Sequence, residues 1–149
     1  MIEQISWDQI LDIWKNRLWP NRISSIEPNS AMEFLGGYDM FNMSTSPTFF
    51  GLIIDNKIVG VNSGHMCNNK HYRSRGLFVD PKHRGKKYGS MLLSRTIEQG
   101  RIEGAALVWS LPRKTSFHAY QHAGFQLASD WSPTETSELN AYVKIDLGK

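Results

Sequence analysis

Cysteine is nearly absent from this sequence: Cys67 is the only one among 149 residues. A disulfide within the chain and a zinc site built from cysteines are therefore both excluded. The sequence also lacks a basic N-terminal stretch followed by an apolar run, and it has no apolar segment long enough to span a bilayer. These absences predict a cytoplasmic protein that makes no contact with a membrane.

The overall composition is typical of a globular protein, with 40% hydrophobic and 21% charged residues. A chain of 149 residues leaves no room for a second substantial core. We therefore expect a single domain over residues 1–149.

The positive charge is concentrated in one segment. The net charge is +3, and four of the 17 lysine and arginine residues lie within six positions. These are Lys82, Arg84, Lys86 and Lys87. Without these four, 13 basic residues stand against 14 acidic ones, a net charge of −1. Such a cluster is either a solvated loop or part of a site for an anion, and its surroundings decide between the two.

The hydrophobic periodicity predicts helices first and strands afterwards. Ser6 and Gln9 fit a capping box for a helix that ends before Pro20, and a second capping box predicts a short helix from Ser30 to Gly36. Strand-like runs follow at 48–54, 58–66 and 72–79, and the short turn-rich gaps between them are typical of an antiparallel meander.

The second half of the chain predicts a parallel step. The segment 80–104 contains a predicted helix, and a connection of that length normally joins parallel strands by a right-handed crossover. A strand at 105–110, a helix at 115–122 and strands near 125–128 and 140–147 complete the pattern. The fold class is α/β (α+β), with a mixed, mostly antiparallel sheet.

An anion site is expected at this parallel step. A strand that leads through a glycine-containing loop into a helix directs free backbone N–H groups and the positive end of the helix dipole at one spot. Gly85 and Gly89 let the backbone curl around a phosphate, and the basic residues add charge. The segment matches neither the P-loop pattern nor G-x-G-x-x-G.

Two motifs in this order resemble the GNAT superfamily of N-acetyltransferases. Residues 77–93, LFVDPKHRGKKYGSMLL, are similar to the family's strand-loop-helix signature, and residues 120–125, YQHAGF, are similar to its tyrosine-x-x-x-Gly-Phe motif. The resemblance covers roughly residues 72–128. It implies helices on both faces of the sheet, acetyl-CoA as cofactor, and acetyl transfer to a primary amine by direct attack in a ternary complex.

The resemblance also implies a set of cofactor-binding residues. The strand would pair with the pantetheine arm and polarise the thioester carbonyl, and the loop would bind the pyrophosphate. The implied residues are Leu77, Phe78, Val79, Arg84, Gly85, Lys86, Lys87, Tyr88, Gly89 and Ser90. Lys87 stands where the family usually has glycine. Binding is still expected, and Lys87 can supply a charge instead, provided that its φ is negative.

Tyr120 matches the family's general acid, and a phenol is a reasonable proton donor to a departing thiolate. The base is not carried over, because residues 71–76 contain no carboxylate where the family often has one. His65, His118 and ordered water remain open as proton acceptors, as does an amine that arrives already neutral.

The acceptor is left open by the sequence. Arg73 and Arg75 lie two apart on a predicted strand, so they project from the same face. They either point toward an acidic acceptor or pair with Asp or Glu across the sheet, and the pairing is the favoured interpretation. A small-molecule or a peptide amine is compatible with the sequence, and so is a homodimer.

Two other function classes are compatible with parts of the sequence. A non-catalytic coenzyme A sensor would need the loop but not Tyr120. A nucleic-acid binder would use the basic segment, but the five tryptophans are spread over separate elements instead of one basic groove, which makes this the weaker alternative.

Overall fold

A mixed sheet of seven strands forms the centre of the structure, a computed structural model that describes residues 1–134 and 138–148. The described residues form nine strands, seven in this sheet and two in a separate pair. They are β1 (Ile2–Gln4), β2 (Thr48–Ile54), β3 (Lys57–Met66), β4 (His71–Val79), β5 (Leu107–Ser110), β6 (Gln126–Leu127), β7 (Ser132–Pro133), β8 (Leu139–Asn140) and β9 (Val143–Asp146). The sheet order is β1-β2-β3-β4-β5-β9-β6, and β7 pairs with β8 separately.

Helices cover both faces of the sheet. They are α1 (Trp7–Ile13), which continues as a π-helical turn (Trp14–Leu18), α2 (Tyr88–Ile102) and α3 (Phe117–His122). Short 3₁₀ turns lie at Met40–Met43, Asn68–Lys70, Pro81–His83 and Lys114–Ser116. The first helical segment packs against one face through Ile10 and Trp14. On the other face, Leu92 of α2 and Tyr120 of α3 lie in the core. None of the helices in the described chain combines the length and apolar character needed to cross a membrane.

The predicted fold class is confirmed. The meander of β2, β3 and β4 begins and ends within one residue of the predicted bounds. The parallel step is confirmed as well, because β4 and β5 pair in parallel from His71–Leu107 to Arg73–Trp109. Sequence periodicity missed β1, which pairs antiparallel with β2, and the small β7-β8 hairpin, because strands of two or three residues carry too little pattern.

The helix predicted from Ser30 is wrong, because residues 30–37 form an irregular loop. The Glu33 N–H donates to the Gly37 carbonyl at 2.9 Å, which closes a tight turn. The Glu33 carboxylate accepts hydrogen bonds from the side chains of Asn42 and Asn68 and does not complete a capping box. Long-range hydrogen bonds therefore override the local helix signal.

A β-bulge interrupts β4 near its C-terminal end. Val61 lies opposite Phe78, whereas Ser63 lies opposite Arg75, so β4 has one more residue than β3 between these pairs. Gly76 lies in this bulge with φ +78°. Bulges bend the strand that carries them, so this one turns the end of β4 out of the sheet.

Trp14 packs directly against the bulge. Its indole Nε1 donates a hydrogen bond to the Gly76 carbonyl at 2.9 Å. A Cβ atom at position 76 would lie only 2.4 Å from the indole ring. The tight fit therefore requires glycine for reasons of space as well as backbone conformation.

The sheet splits between β4 and β5 just before the bulge. Their pairing ends at Arg73 and Trp109, and the last link is a hydrogen bond from the Ser110 hydroxyl to the Ser74 carbonyl, at 2.7 Å. In the described chain, no strand pairs with residues 77–79 on the β5 side. The split leaves a gap in the sheet.

Gly76→Ala should therefore destabilise the fold by about 3 kcal/mol or more. The new Cβ atom displaces Trp14, and alanine is strained at the positive φ of this position. Gly104→Ala is the matched control: its φ is +86°, and nothing lies within 4 Å of the added Cβ. That variant should lose only about 1–2 kcal/mol. Urea unfolding of both variants measures the difference, and equal losses would show that the Trp14 contact does not constrain the bulge.

Candidate active site

A cleft of about 650 Å³ lies where β4 separates from β5. It is enclosed by the end of β4, the following loop, the start of α2, and α3. Nine of the ten residues predicted to bind the cofactor line it: Leu77, Phe78, Val79, Arg84, Gly85, Lys87, Tyr88, Gly89 and Ser90. Lys86 does not line it. A cavity of this size is typical of a small-molecule site.

The backbone of Val79 faces this cleft. The Asp80 N–H donates to the Val59 carbonyl at 2.7 Å, and hydrogen-bonded pairs alternate along an antiparallel ladder. The backbone groups of Val79 therefore point away from β3. Its carbonyl accepts a hydrogen bond from Arg84 Nε at 2.9 Å, which leaves its N–H as the strand donor that a ligand can use.

The N-terminus of α2 is open toward the cleft. Lys87 is the N-cap residue of α2, and its side chain makes no capping hydrogen bond to the first turn. The first N–H groups of a helix have no intrahelical acceptor, and the helix dipole places positive charge beside them. The Ser90 hydroxyl donates to the Ala119 carbonyl at 3.2 Å, which fixes α2 against α3. This geometry fits a pyrophosphate group.

The condition that Lys87 has a negative φ is wrong. Its φ is 65° and its ψ is 17°, which is the left-handed conformation. For a residue with a side chain this conformation costs about 1–2 kcal/mol. The side chain of Lys87 is exposed, so the loop carries a charge here at the cost of backbone strain.

A second cavity, of about 240 Å³, adjoins the cleft, and we call it the acceptor pocket. The two share four lining residues: Leu18, Leu77, Arg113 and Ser116. Because the sheet is split here, side chains from both of its faces reach the pocket. Arg73 and Arg75 enter from the face that carries α1, and Tyr120 enters from α3.

Tyr120 is buried, with its ring packed edge-on against Phe125 at a centroid distance of 5.4 Å. It lines the acceptor pocket and not the larger cleft. Burial raises the pKa of Tyr120, and the Ser110 hydroxyl and the charge of Arg73 offset part of that rise. The phenol is therefore fully protonated at neutral pH.

The two candidate histidines differ in position. His65 is fully buried and lines neither cavity. Burial, with the charges of Arg73 and Arg75, lowers the pKa of His65 to about 3, so it cannot hold a proton at neutral pH. His118 is exposed and lines the larger cleft from α3. Of the two, only His118 lines a cavity, the larger cleft, and it does not line the acceptor pocket.

Arg73 and Arg75 are 8% and 6% exposed, and neither takes part in a salt bridge within the described residues. The favoured interpretation, cross-strand pairing with Asp or Glu, is therefore wrong. The Arg73 guanidinium stacks over Trp109 at 4.8 Å. Arg75 stacks over Trp14 at 5.0 Å and donates to the Glu27 carbonyl at 2.9 Å. Burial lowers the pKa of both arginines, that of Arg75 to about 9. A guanidinium keeps its proton in proteins, so both side chains carry a positive charge at neutral pH.

Sequence reasoning missed the other walls of the acceptor pocket. Trp19 follows the π-helical turn, Ser110 ends β5, and Asn140 comes from β8. These residues are far apart along the chain, and no motif spacing connects them. For these residues, the only feature of the local sequence that could have indicated a pocket wall was the polar Ser110 at the end of an apolar run.

The sequence of this chain matches a known protein family. The sequence model of the Acetyltransferase (GNAT) family matches residues 11–125 of the chain. The chain belongs to the GNAT acetyltransferase family. It is therefore an acyltransferase, and its cofactor is acetyl-CoA. Comparison with curated protein sequences finds no match.

Solved structures share the fold of this GNAT acetyltransferase at low identity. An aminoglycoside 6'-N-acetyltransferase complexed with coenzyme A is 10% identical, with a TM-score of 0.72 and coverage of 98% of this chain and 96% of that one. An IAA acetyltransferase from Bacillus cereus is 15% identical, with a TM-score of 0.70 and 99% of each chain covered. The ribosomal-protein-S18-alanine N-acetyltransferase from Escherichia coli is also 15% identical, with a TM-score of 0.67 and coverage of 100% and 94%. The acceptors named for these proteins differ, so the fold does not specify an acceptor.

Lys87→Gly should raise the free energy of unfolding by about 0.5–1 kcal/mol, because relief of the left-handed strain outweighs the added entropy of the unfolded chain. Lys86→Gly is the matched control, since Lys86 does not have a positive φ, and it should lose about 0.5–1 kcal/mol. Urea unfolding tests both. A loss of stability in Lys87→Gly similar to that of the control would show that the loop is not strained.

Proposed function

We propose that this GNAT acetyltransferase transfers the acetyl group of acetyl-CoA to a primary amine in the acceptor pocket, by direct attack in a ternary complex. The observation that carries the proposal is that the larger cleft and the acceptor pocket meet at Leu77, in the gap between β4 and β5. Direct transfer requires the donor and the acceptor to be bound side by side. Two adjoining cavities also favour catalysis over a coenzyme A sensor, which would need only one.

The larger cleft is assigned to the cofactor, which supplies a thioester carbon activated toward attack by an amine. The open N-terminus of α2, with Arg84 and Lys87, would hold the pyrophosphate. The Val79 N–H would pair with the pantetheine arm or polarise the thioester carbonyl. Lys86 lies outside the cleft, so it would contribute only positive charge near the pyrophosphate and no direct contact.

Tyr120 is assigned as the proton donor to the departing sulfur. The phenol is protonated in the resting enzyme, and it can donate its proton as negative charge develops on the departing sulfur. Its hydroxyl contacts Ser110, so its position is fixed by the end of β5.

Deprotonation of the amine does not require a carboxylate in this pocket. Arg73, Arg75 and Arg113 line it, and nearby positive charge lowers the pKa of a bound ammonium group. The amine therefore loses its proton more readily here than in water. His118 or water would carry that proton away.

The proposal is tested by following thiol release from acetyl-CoA with a panel of primary amines, with mass spectrometry of the products. Acetyl-CoA binding, measured separately by calorimetry, shows whether the cleft is functional. Binding of acetyl-CoA without acetylation of any amine would contradict the proposal and support the sensor.

Tyr120→Phe should lower turnover about 10²–10⁴-fold and leave the affinity for acetyl-CoA nearly unchanged, because the substitution removes the proton-donating hydroxyl and keeps the ring. Tyr72→Phe is the matched control: it also removes a buried tyrosine hydroxyl, which donates to Glu103 at 3.0 Å, but Tyr72 lines neither cavity. Its turnover should not change. Unchanged turnover in a folded Tyr120→Phe protein would remove Tyr120 from the mechanism.

A further inference from the structure

The guanidinium of Arg73 lies in the acceptor pocket with its hydrogen-bonding capacity unused. Its Nε and Nη1 atoms are fully enclosed and have no hydrogen-bond partner in the described chain. Its stacking on Trp109 stabilises the flat face of the group, but the N–H bonds lie in the plane of the guanidinium and gain nothing from the stacking. A buried charge with free N–H groups is costly unless something pairs with it.

The pocket itself offers no anion to pair with Arg73. The described residues that line it include three arginines and neither Asp nor Glu. Arg75 is held by the Glu27 carbonyl and two tryptophans, and Arg113 pairs with Glu138 at 3.0 Å on the rim. Of the three arginines, Arg73 is thus the one without a polar partner among the residues that the structure describes.

This charge distribution restricts the acceptor. A polyamine or another polycation would bring further positive charge against three arginines, which is unfavourable. An acceptor that also carries an anionic group would cancel the charge of the buried guanidinium. The pocket, at about 240 Å³, has room for a molecule of modest size.

We propose that the amine acceptor carries a carboxylate and that Arg73 binds it, with Arg75 and Arg113 adding to the positive field of the pocket. The planar fork of a guanidinium matches the two oxygens of a carboxylate, so one residue can orient the acceptor as well as attract it. The inference rests on the proposed acetyl transfer to an amine in this pocket, and it names the class of the amine: an amino acid or a similar amino-carboxylic acid.

Matched pairs of acceptors test the inference. The probes are β-alanine with β-alaninamide and phenylalanine with phenylalaninamide, which differ only in the carboxylate, together with putrescine and phosphoethanolamine. We expect at least one acid to have a kcat/KM about 10- to 100-fold higher than its amide, the usual range for losing a charged hydrogen bond. Amides or putrescine used as well as the acids would overturn the inference and leave acetyl transfer intact. A preference for phosphoethanolamine would replace the carboxylate by a phosphate and likewise overturn it.

Substitution of Arg73 then assigns the preference to a residue. Arg73→Met should lower kcat/KM for the acid about 10- to 100-fold and that for the amide far less, so that their ratio approaches 1. Arg73→Lys, which keeps the charge but not the fork, should retain part of the preference. Arg95→Met is the matched control, because Arg95 stacks on Phe50 at 4.6 Å and also has an unpartnered Nη1, yet lines neither cavity.

Two further measurements separate the possible failures. Melting curves establish that each variant is folded, and titration of the acetylated acid into the protein with bound coenzyme A reads out the carboxylate contact without turnover. If the acid preference and the product affinity both survive in folded Arg73→Met, the inference is wrong. If the wild-type protein binds acetyl-CoA but acetylates none of the probes, the proposed function fails and the inference fails with it.

Discussion

The packing of Trp14 on Gly76 is the contact on which the rest of the site depends. The bulge at Gly76 adds a residue to β4 just after its pairing with β5 has ended, so the strand turns away from its neighbour. The indole fills the space beside the bulge and binds its carbonyl. The bend carries the end of β4 further away from β5, and both cavities lie in the gap between the two strands.

The same bend brings opposite faces of the sheet to one pocket. Arg73 belongs to the face covered by α1, and Tyr120 belongs to the helix on the other face. Charge recognition and proton donation can therefore meet at one ligand although a sheet would normally separate them. Arg73 would pair with the carboxylate of the acceptor, and the remaining positive charge of Arg75 would lower the pKa of the ammonium group on the same molecule.

Local signals in the sequence predicted much of the fold. The capping box of Ser6 and Gln9, the meander and the strand-loop-helix segment each depend on contacts between residues close in the chain. The helix predicted from Ser30 does not form. Asn42 and Asn68, which are distant in sequence, donate hydrogen bonds to the Glu33 carboxylate that the capping box would have used. The cofactor-binding residues predicted for the larger cleft could be read from the sequence because they lie in one continuous segment, residues 77–90.

The acceptor pocket was not predictable in the same way. Its walls come from the π-helical turn, β4, β5, α3 and β8, and only the tertiary fold brings them together. The free state of Arg73 is also a tertiary property, since the sequence cannot show that no carboxylate among residues 1–134 and 138–148 pairs with it. A pairing with Asp or Glu was the reasonable expectation for an arginine on a strand, and the structure shows a stacking contact with Trp109 in its place.

A buried polar network ties the cofactor helix to the acceptor pocket. The side-chain amide of Asn62 donates to the hydroxyls of Ser74 on β4 and Thr96 on α2, both at 2.8 Å. The Ser74 carbonyl in turn accepts from the Ser110 hydroxyl, which contacts Tyr120. Buried polar groups are expensive to leave unpaired, so this chain of contacts fixes the relative positions of its members. The helix that would bind the pyrophosphate and the phenol that would donate the proton are therefore held in one frame, across the point where the sheet splits.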